Sequence, residues 1–229
     1  MSKRIVVAID GPAGAGKSTV ARSLARKLGF TYIDTGAMYR AVALWALRTN
    51  VNLDDMHRLE QLALAARIEF ASGGSHVLLN GEDVTQAIRE QHMAEAASRV
   101  SAVPGVRRAM VEAQRRMGES GSVVLEGRDI GTVVFPHADV KVFLDAVPET
   151  RAERRARELA QKGKTVAEKE IARQIAERDR RDRTRSEAPL MQAPDAVYID
   201  SSGLRVEEVE EAILKLIRDR TSNGKELAR

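Results

Sequence analysis

One run of eight residues carries the clearest chemistry in this sequence: Gly11-Pro12-Ala13-Gly14-Ala15-Gly16-Lys17-Ser18, followed by Thr19. It fits the pattern G-x-x-x-x-G-K-[ST]. Small residues let successive backbone N–H groups curl around a phosphate, and a helix opening at Lys17 adds the positive end of its dipole. Lys17 then reaches the outer phosphates of a nucleoside triphosphate, and the Ser18 hydroxyl is placed to bind Mg²⁺. A chance glycine-rich turn is the bland alternative. The full match, with a β run before it and a helical run after it, weighs against that. The loop reports a bound triphosphate but not its use.

Three further blocks hold side chains suited to anions. Asp34-Thr35-Gly36-Ala37-Met38-Tyr39-Arg40 opens a helical run, where Asp34 or Thr35 can cap and Arg40 sits one turn in. An Arg can fork two hydrogen bonds onto a phosphate. Glu126-Gly127-Arg128-Asp129-Ile130-Gly131-Thr132 follows another β run, and Arg178-Asp179-Arg180-Arg181-Asp182-Arg183-Thr184-Arg185 closes a basic segment. No guanine-reading N-K-x-D occurs, which argues against a GTPase. Asp145 ends a β run, and reads either as a metal-associated carboxylate or as a strand-end cap.

These residues need a frame. Apolar, β-branched runs at 4–10, 31–33, 122–126, 141–145 and 196–200 read as buried strands. Helical spacing covers 17–28, 37–49, 54–68, 93–100, 106–117, 148–162, 166–181 and 206–220. Strands alternating with helices predict an α/β fold: a five-stranded parallel sheet flanked by helices. The pattern changes over 69–95, where Val77-Leu78-Leu79 precedes the turn dipeptide Asn80-Gly81, so this stretch reads as a small antiparallel excursion.

The chain has 229 residues, no Cys and a net charge of +4, which fits one sizeable soluble unit and excludes disulfide scaffolds and Cys-ligated metals. No apolar run is long enough to span a bilayer, and the polar N-terminus is unlike a signal peptide, so the expected location is cytoplasmic. Between Arg151 and Arg185 there are 13 Arg+Lys against 7 Asp+Glu. Such a segment either wants an anionic partner or is a solvated helix face laced with ion pairs. Base-stacking readers of single strands need aromatic rings, and this segment has none, so nucleic acid is not expected as a partner.

Together the blocks D-[ST]-G-A-x-Y-R, G-R-D-x-G-T-V-V-F-P and R-D-x-R-D-x-x-R resemble the bacterial cytidylate kinases, a group of nucleoside monophosphate kinases, over residues 5–216. The resemblance implies a P-loop NTPase fold in three parts. These are a core over about 1–34, 104–148 and 186–220, a monophosphate-binding region with its antiparallel insert over 35–103, and a short helical lid over 149–185. It implies ATP and CMP, and also dCMP, as substrates and Mg²⁺ with the ATP; separately, with no exposed apolar stripe and no bilayer-length apolar run in the sequence, a monomer with no membrane partner is expected. ATP would lie on residues 11–19 with Arg154 and Arg157. CMP would be met by Thr35, Tyr39, Arg40, Ser98, Arg107, Arg128, Asp129, Arg178, Asp182 and Arg185. Of these, Ser98, Arg107 and Asp129 would face cytosine, and Arg178 and Asp182 the ribose. Lys17, Arg128, Arg178 and Arg185 would act on the transferred phosphoryl group, with Arg155 and Arg181 as further lid candidates. Without the resemblance, Ser98 reads as a polar helix residue and Arg107 as a surface cation.

Two rivals remain: a small P-loop kinase with another acceptor, such as shikimate or gluconate, and a nucleotide-dependent RNA-binding protein. The G-R-D block and the insert argue against the first. Scarce aromatics and interleaved acids argue against the second.

Overall fold

The computed structural model describes residues 4–161, 163, 164 and 166–221. Its main sheet has five parallel strands in the order β2-β6-β1-β7-β8: β1 Val6–Asp10, β2 Thr31–Asp34, β6 Val123–Gly127, β7 Val140–Asp145 and β8 Val197–Asp200. Alternate residues of β1 feed two different cores. Val6 and Ala8 join one with α2 (Thr35–Arg48), α3 (Met56–Ala65), α4 (Gln91–Val100) and α5 (Pro104–Glu119), while Val7 and Ile9 join the other with α1 (Lys17–Leu28) and α8 (Val206–Arg220). Because both faces of the sheet are covered, the strands read as continuous apolar runs rather than alternating ones. The expected α/β architecture is therefore present. Among the described residues no helix is long and apolar enough to cross a membrane.

The excursion is a three-stranded antiparallel sheet of β3 (Ile68–Ala71), β4 (His76–Leu79) and β5 (Glu82–Asp83). Asn80 and Gly81 link β4 to β5 with φ of 52° and 85°, the two positive φ values that a two-residue hairpin of this twist requires. The helix expected over 54–68 needs correction. It ends at Ala65, and Ile68 and Phe70 instead pair with Leu79 and Val77 across the small sheet. The helical spacing of a short apolar stretch was overridden by cross-strand burial, which local pattern cannot reveal.

Two long helices, α6 (Pro148–Gln161) and α7 (Glu168–Thr184), form a pair with its own small core of Ala152, Leu159, Ile171 and Ile175. Both helices line the cleft beside them, with Arg154, Arg157, Arg173 and Arg178 among the lining residues. The loops that follow β1, β2, β6 and β7 all open on one edge of the sheet, because parallel strands put their C-terminal ends together. A ligand crevice is expected there, where neighbouring crossovers run to opposite faces.

Candidate active site

The glycine-rich loop joins β1 to α1. Gly11 has φ 147°, and a Cβ there would lie 1.9 Å from the Leu144 carbonyl oxygen, so only glycine lets the loop leave the sheet beside β7. Helix α1 has no acidic residue in its first turn and no side-chain cap, which leaves its leading N–H groups for an anion. The Lys17 ammonium donates to the Pro12 carbonyl at 2.6 Å and is 5% exposed. Burial, reinforced by Arg128, pulls the Lys17 ammonium down to about 7. An arriving polyphosphate would reverse that, since a nearby anion favours the charged amine.

The acidic strand end facing this loop is Glu126, for which sequence reasoning assigned no role. The Tyr32 hydroxyl donates to its carboxylate at 2.5 Å, and the Ser18 hydroxyl bonds it as well. Burial, and then Asp34, push the Glu126 carboxyl above the usual carboxylate range. One oxygen of the Asp145 carboxylate accepts the Ala146 N–H at 2.8 Å, the contact a strand-end cap makes. The one sequence signal for Glu126 was its place as the last acid of its strand, directly before Gly127-Arg128-Asp129. Among the described residues no group of three or more His, Cys, Asp or Glu could hold a metal. Ser18 beside Glu126 nevertheless suits Mg²⁺, which prefers one or two protein oxygens plus phosphates and water to a full protein cage.

Beyond the glycine-rich loop an ion network gathers six of the expected residues. The Arg107 guanidinium donates to Asp129 at 2.5 Å, with side-chain exposures of 2% and 7%. Arg185 approaches the other oxygen of Asp129 at 3.4 Å and Asp182 at 3.7 Å. Arg128 donates to Asp182 at 2.8 Å, and Arg178 lies 3.9 Å from the same oxygen. Although burial opposes it, Arg128 and Arg178 hold the Asp182 carboxyl below its ordinary value. Burial, and then Arg128, pull the Arg178 guanidinium down to about 10. Tyr39 stacks under Arg107, whose guanidinium carbon is 5.5 Å from the ring centre. Arg107 is thus a buried ion-pair member, not the surface cation that its sequence context alone suggested.

Several polar atoms in this region are buried without a partner: Ser98 Oγ, and the Nε atoms of Arg40, Arg107, Arg178 and Arg181. Burial of an unpaired donor costs about 1–3 kcal/mol, so such a cluster points to a ligand that completes it. Thr35 is buried, donating from Oγ1 to the Glu126 carbonyl at 2.7 Å. Asp34 rather than Thr35 caps α2: it accepts the Ala37 N–H at 2.8 Å and the Arg40 guanidinium at 2.9 Å.

A cleft of about 1270 Å³ runs between these two sides, lined by residues 13–20, Arg40, Arg128, Arg154, Arg157 and Arg178. Thr35, Tyr39, Ser98, Arg107, Asp129, Asp182 and Arg185 are not on its lining. Of these, Arg107, Asp129, Arg185 and Asp182 connect to it through the Arg128–Asp182 pair. Arg154 donates to the Ser201 carbonyl at 2.6 Å and its hydroxyl at 3.0 Å, while Ser201 in turn donates to the Ala15 carbonyl. Arg157 is exposed at the rim. Arg155 pairs with Glu158, and Arg181 reaches across to Glu95 at 2.6 Å. Sequence reasoning also gave no role to Arg151. Buried at the base of α6, it donates to Asp179 at 2.5 Å, to the Ala146 carbonyl at 2.9 Å and to the Ala13 carbonyl in the glycine-rich loop at 3.2 Å.

A structure of an uncharacterized protein from Eubacterium ventriosum ATCC 27560 superposes with a TM-score of 0.51 at 15% identity, covering 95% of this chain and all (100%) of that one. That likeness speaks to the fold alone. Sequence comparison reaches further. The family profile described as cytidylate kinase matches residues 7–219. A cytidylate kinase of Solibacter usitatus (strain Ellin6076) is 61% identical over 228 residues, 99% of this chain and 97% of the relative. Another, of Pelotomaculum thermopropionicum (strain DSM 13744 / JCM 10971 / SI), is 52% identical over 222 residues, 96% of each chain. A family match over residues 7–219 and identities of 52–61% over nearly the whole chain make this chain a member of the cytidylate kinase family.

Proposed function

We propose that this protein moves the γ-phosphoryl group of ATP to the 5′-phosphate of CMP, and likewise of dCMP, giving CDP or dCDP and ADP. The observation that carries this reading is Asp129, buried between Arg107 and Arg185 in an ion network that reaches the cleft beside the glycine-rich loop through Asp182 and Arg128. A carboxylate held as an acceptor suits the amino group at N4 of cytosine. Uracil would set a carbonyl oxygen against it, and a buried polar group left unpaired can discriminate by roughly 10⁴–10⁵.

In the reaction an oxygen of the CMP phosphate forms a bond to the γ-phosphorus as the bond to the β,γ-bridging oxygen breaks, and ADP leaves. The acceptor is already anionic, so no strong general base is needed. The difficulty is bringing two polyanions into line, and catalysis is then positioning and charge neutralisation. Lys17 would sit on the outer phosphates and regain its proton as they approach. Arg40, Arg128 and Arg178 line the cleft where the two phosphates would meet, and Arg185 would come forward from the network. Ser18 and the neighbouring Glu126 are the residues that would hold Mg²⁺, which when bound would supply neutralisation of the triphosphate charge. Asp182 and Arg178 would hold the ribose. Helices α6 and α7 would act as the lid over ATP, with Arg154 and Arg157 on its phosphates, excluding water as a competing acceptor.

This reading divides the chain into the core, the monophosphate-binding region and the lid at the boundaries given above, and takes the working form to be a cytoplasmic monomer with no nucleic-acid partner. The test is ADP release from MgATP with CMP, dCMP, UMP, AMP and shikimate offered in parallel. CMP and dCMP are expected to support turnover well above the rest. Preference for another acceptor, or no release with CMP, overturns the reading.

A further inference from the structure

The last residue of β1, Asp10, is 5% exposed and belongs to none of the expected sites. Its two carboxylate oxygens accept two consecutive backbone N–H groups: Ile130 at 2.8 Å and Gly131 at 2.7 Å. Those groups open a single π turn over Ile130–Val134, immediately after Arg128 and Asp129. A π turn closes i to i+5, as in the bond from the Phe135 N–H to the Ile130 carbonyl at 2.7 Å, and so leaves its leading N–H groups without partners inside the turn. Asp10 supplies both from 120 residues away in sequence.

The geometry is specific. Asp10 is one residue before Gly11, where the phosphate loop begins, and it pairs with Gly127 across the β1–β6 ladder. Ile130 directly follows Asp129. The carboxylate therefore clamps the loop on the ATP side to the loop that presents Arg128 and Asp129. Each oxygen is thus committed to one of the two leading N–H groups of the π turn. We infer that Asp10 is a positioning residue, which sets the Arg128 and Asp129 side chains at their working distance from the phosphate loop through the paired N–H groups of Ile130 and Gly131. This deepens the CMP kinase reading given above and rests on it.

The charged groups that face Asp10 are Lys17 and Asp129, so a rival role is to bias the charge of Lys17. Two substitutions separate them. Asp10→Asn removes the charge and turns one acceptor into a donor facing an N–H. Asp10→Glu keeps the charge and both acceptors but displaces the π turn by a methylene. Displacement of about 1 Å at a reacting centre can cost on the order of 10²-fold. In both variants the KM for CMP is expected to rise ~10-fold or more and the CMP-over-UMP ratio of kcat/KM to fall ~10-fold, while the Kd for ATP measured without CMP changes less than ~2-fold. If Asp10→Asn fails to fold, Asp10→Glu alone decides. An unchanged CMP-over-UMP ratio, an equal loss of ATP and CMP binding, or an effect confined to Asp10→Asn overturns the proposal. Should the unaltered protein form no CDP, the CMP kinase reading itself fails, which is a separate result.

Discussion

Arg107 on α5 and Asp129, two residues past the end of β6, meet at 2.5 Å, both almost fully out of solvent. Two charges are hidden only where each satisfies the other. Removal of one partner leaves an uncompensated buried charge, at about 3–5 kcal/mol. Arg107→Met should lower unfolding free energy by about that amount, offset in part by Arg185, which reaches the same carboxylate at 3.4 Å. The double variant Arg107→Met/Asp129→Leu should recover much of the loss. Urea denaturation of the two variants checks both values.

Ser98 poses the opposite case. Its hydroxyl is buried with no partner. Ser98→Ala should therefore leave the midpoint of thermal unfolding unchanged or slightly higher. If the hydroxyl is completed by the base of CMP, the KM for CMP rises roughly 2- to 10-fold, the value of one ordinary hydrogen bond. A matching loss of stability would mean the hydroxyl serves the fold instead.

Lys17 makes one protein contact, to the Pro12 carbonyl, and sits unfavourably as a buried amine. Lys17→Ala should keep the circular dichroism spectrum and unfolding midpoint, while CDP formation falls by at least about 10²-fold for loss of a charge aimed at the transferred phosphoryl. Near-normal turnover would remove Lys17 from the chemistry.

Arg151 ties α6 to α7 through Asp179 and to the glycine-rich loop through Ala13. In Arg151→Met, amide exchange should accelerate across α6 and α7, while amides of β1 and α1 keep their protection, because the α6–α7 pair has its own small core. Uniform acceleration over the whole chain would show that the pair is not a separate cooperative unit.

Asp10 also has a pH signature. Burial raises its carboxyl from 3.8 to about 6, with the Ile130 and Gly131 N–H groups opposing and Asp129 adding to the rise. Its folded value lies above the unfolded one, so the native state holds the extra proton between those limits. Stability from this group is greatest below pH 4 and is lost as pH climbs through 6. A shift of roughly 2 units corresponds to about 3 kcal/mol. The stability of the unaltered protein minus that of Asp10→Asn should therefore fall by about that much between pH 4 and pH 7. A flat difference would indicate that Asp10 titrates near its ordinary value.

Much of this protein was legible in its residues because the signals are local. The phosphate loop, the hairpin turn at Asn80-Gly81 and the alternation of apolar strand and helix each depend on a dozen neighbours at most. Where two local signals met, at Ile68, the sequence extended the helix of 54–68 to a residue that cross-strand burial placed in a strand. What tertiary structure alone decided are the pairings of residues far apart in the chain: Arg107 with Asp129, Arg128 with Asp182, Glu126 with Ser18, and Asp10 with Ile130 and Gly131. The sheet order β2-β6-β1-β7-β8 brings the ends of β1 and β6 side by side although more than a hundred residues separate them. Charge and burial at those ends belong to neighbours that no window of sequence contains, which is why Arg107 read as a surface cation and neither Glu126 nor Asp10 was given a role until the strands were in register.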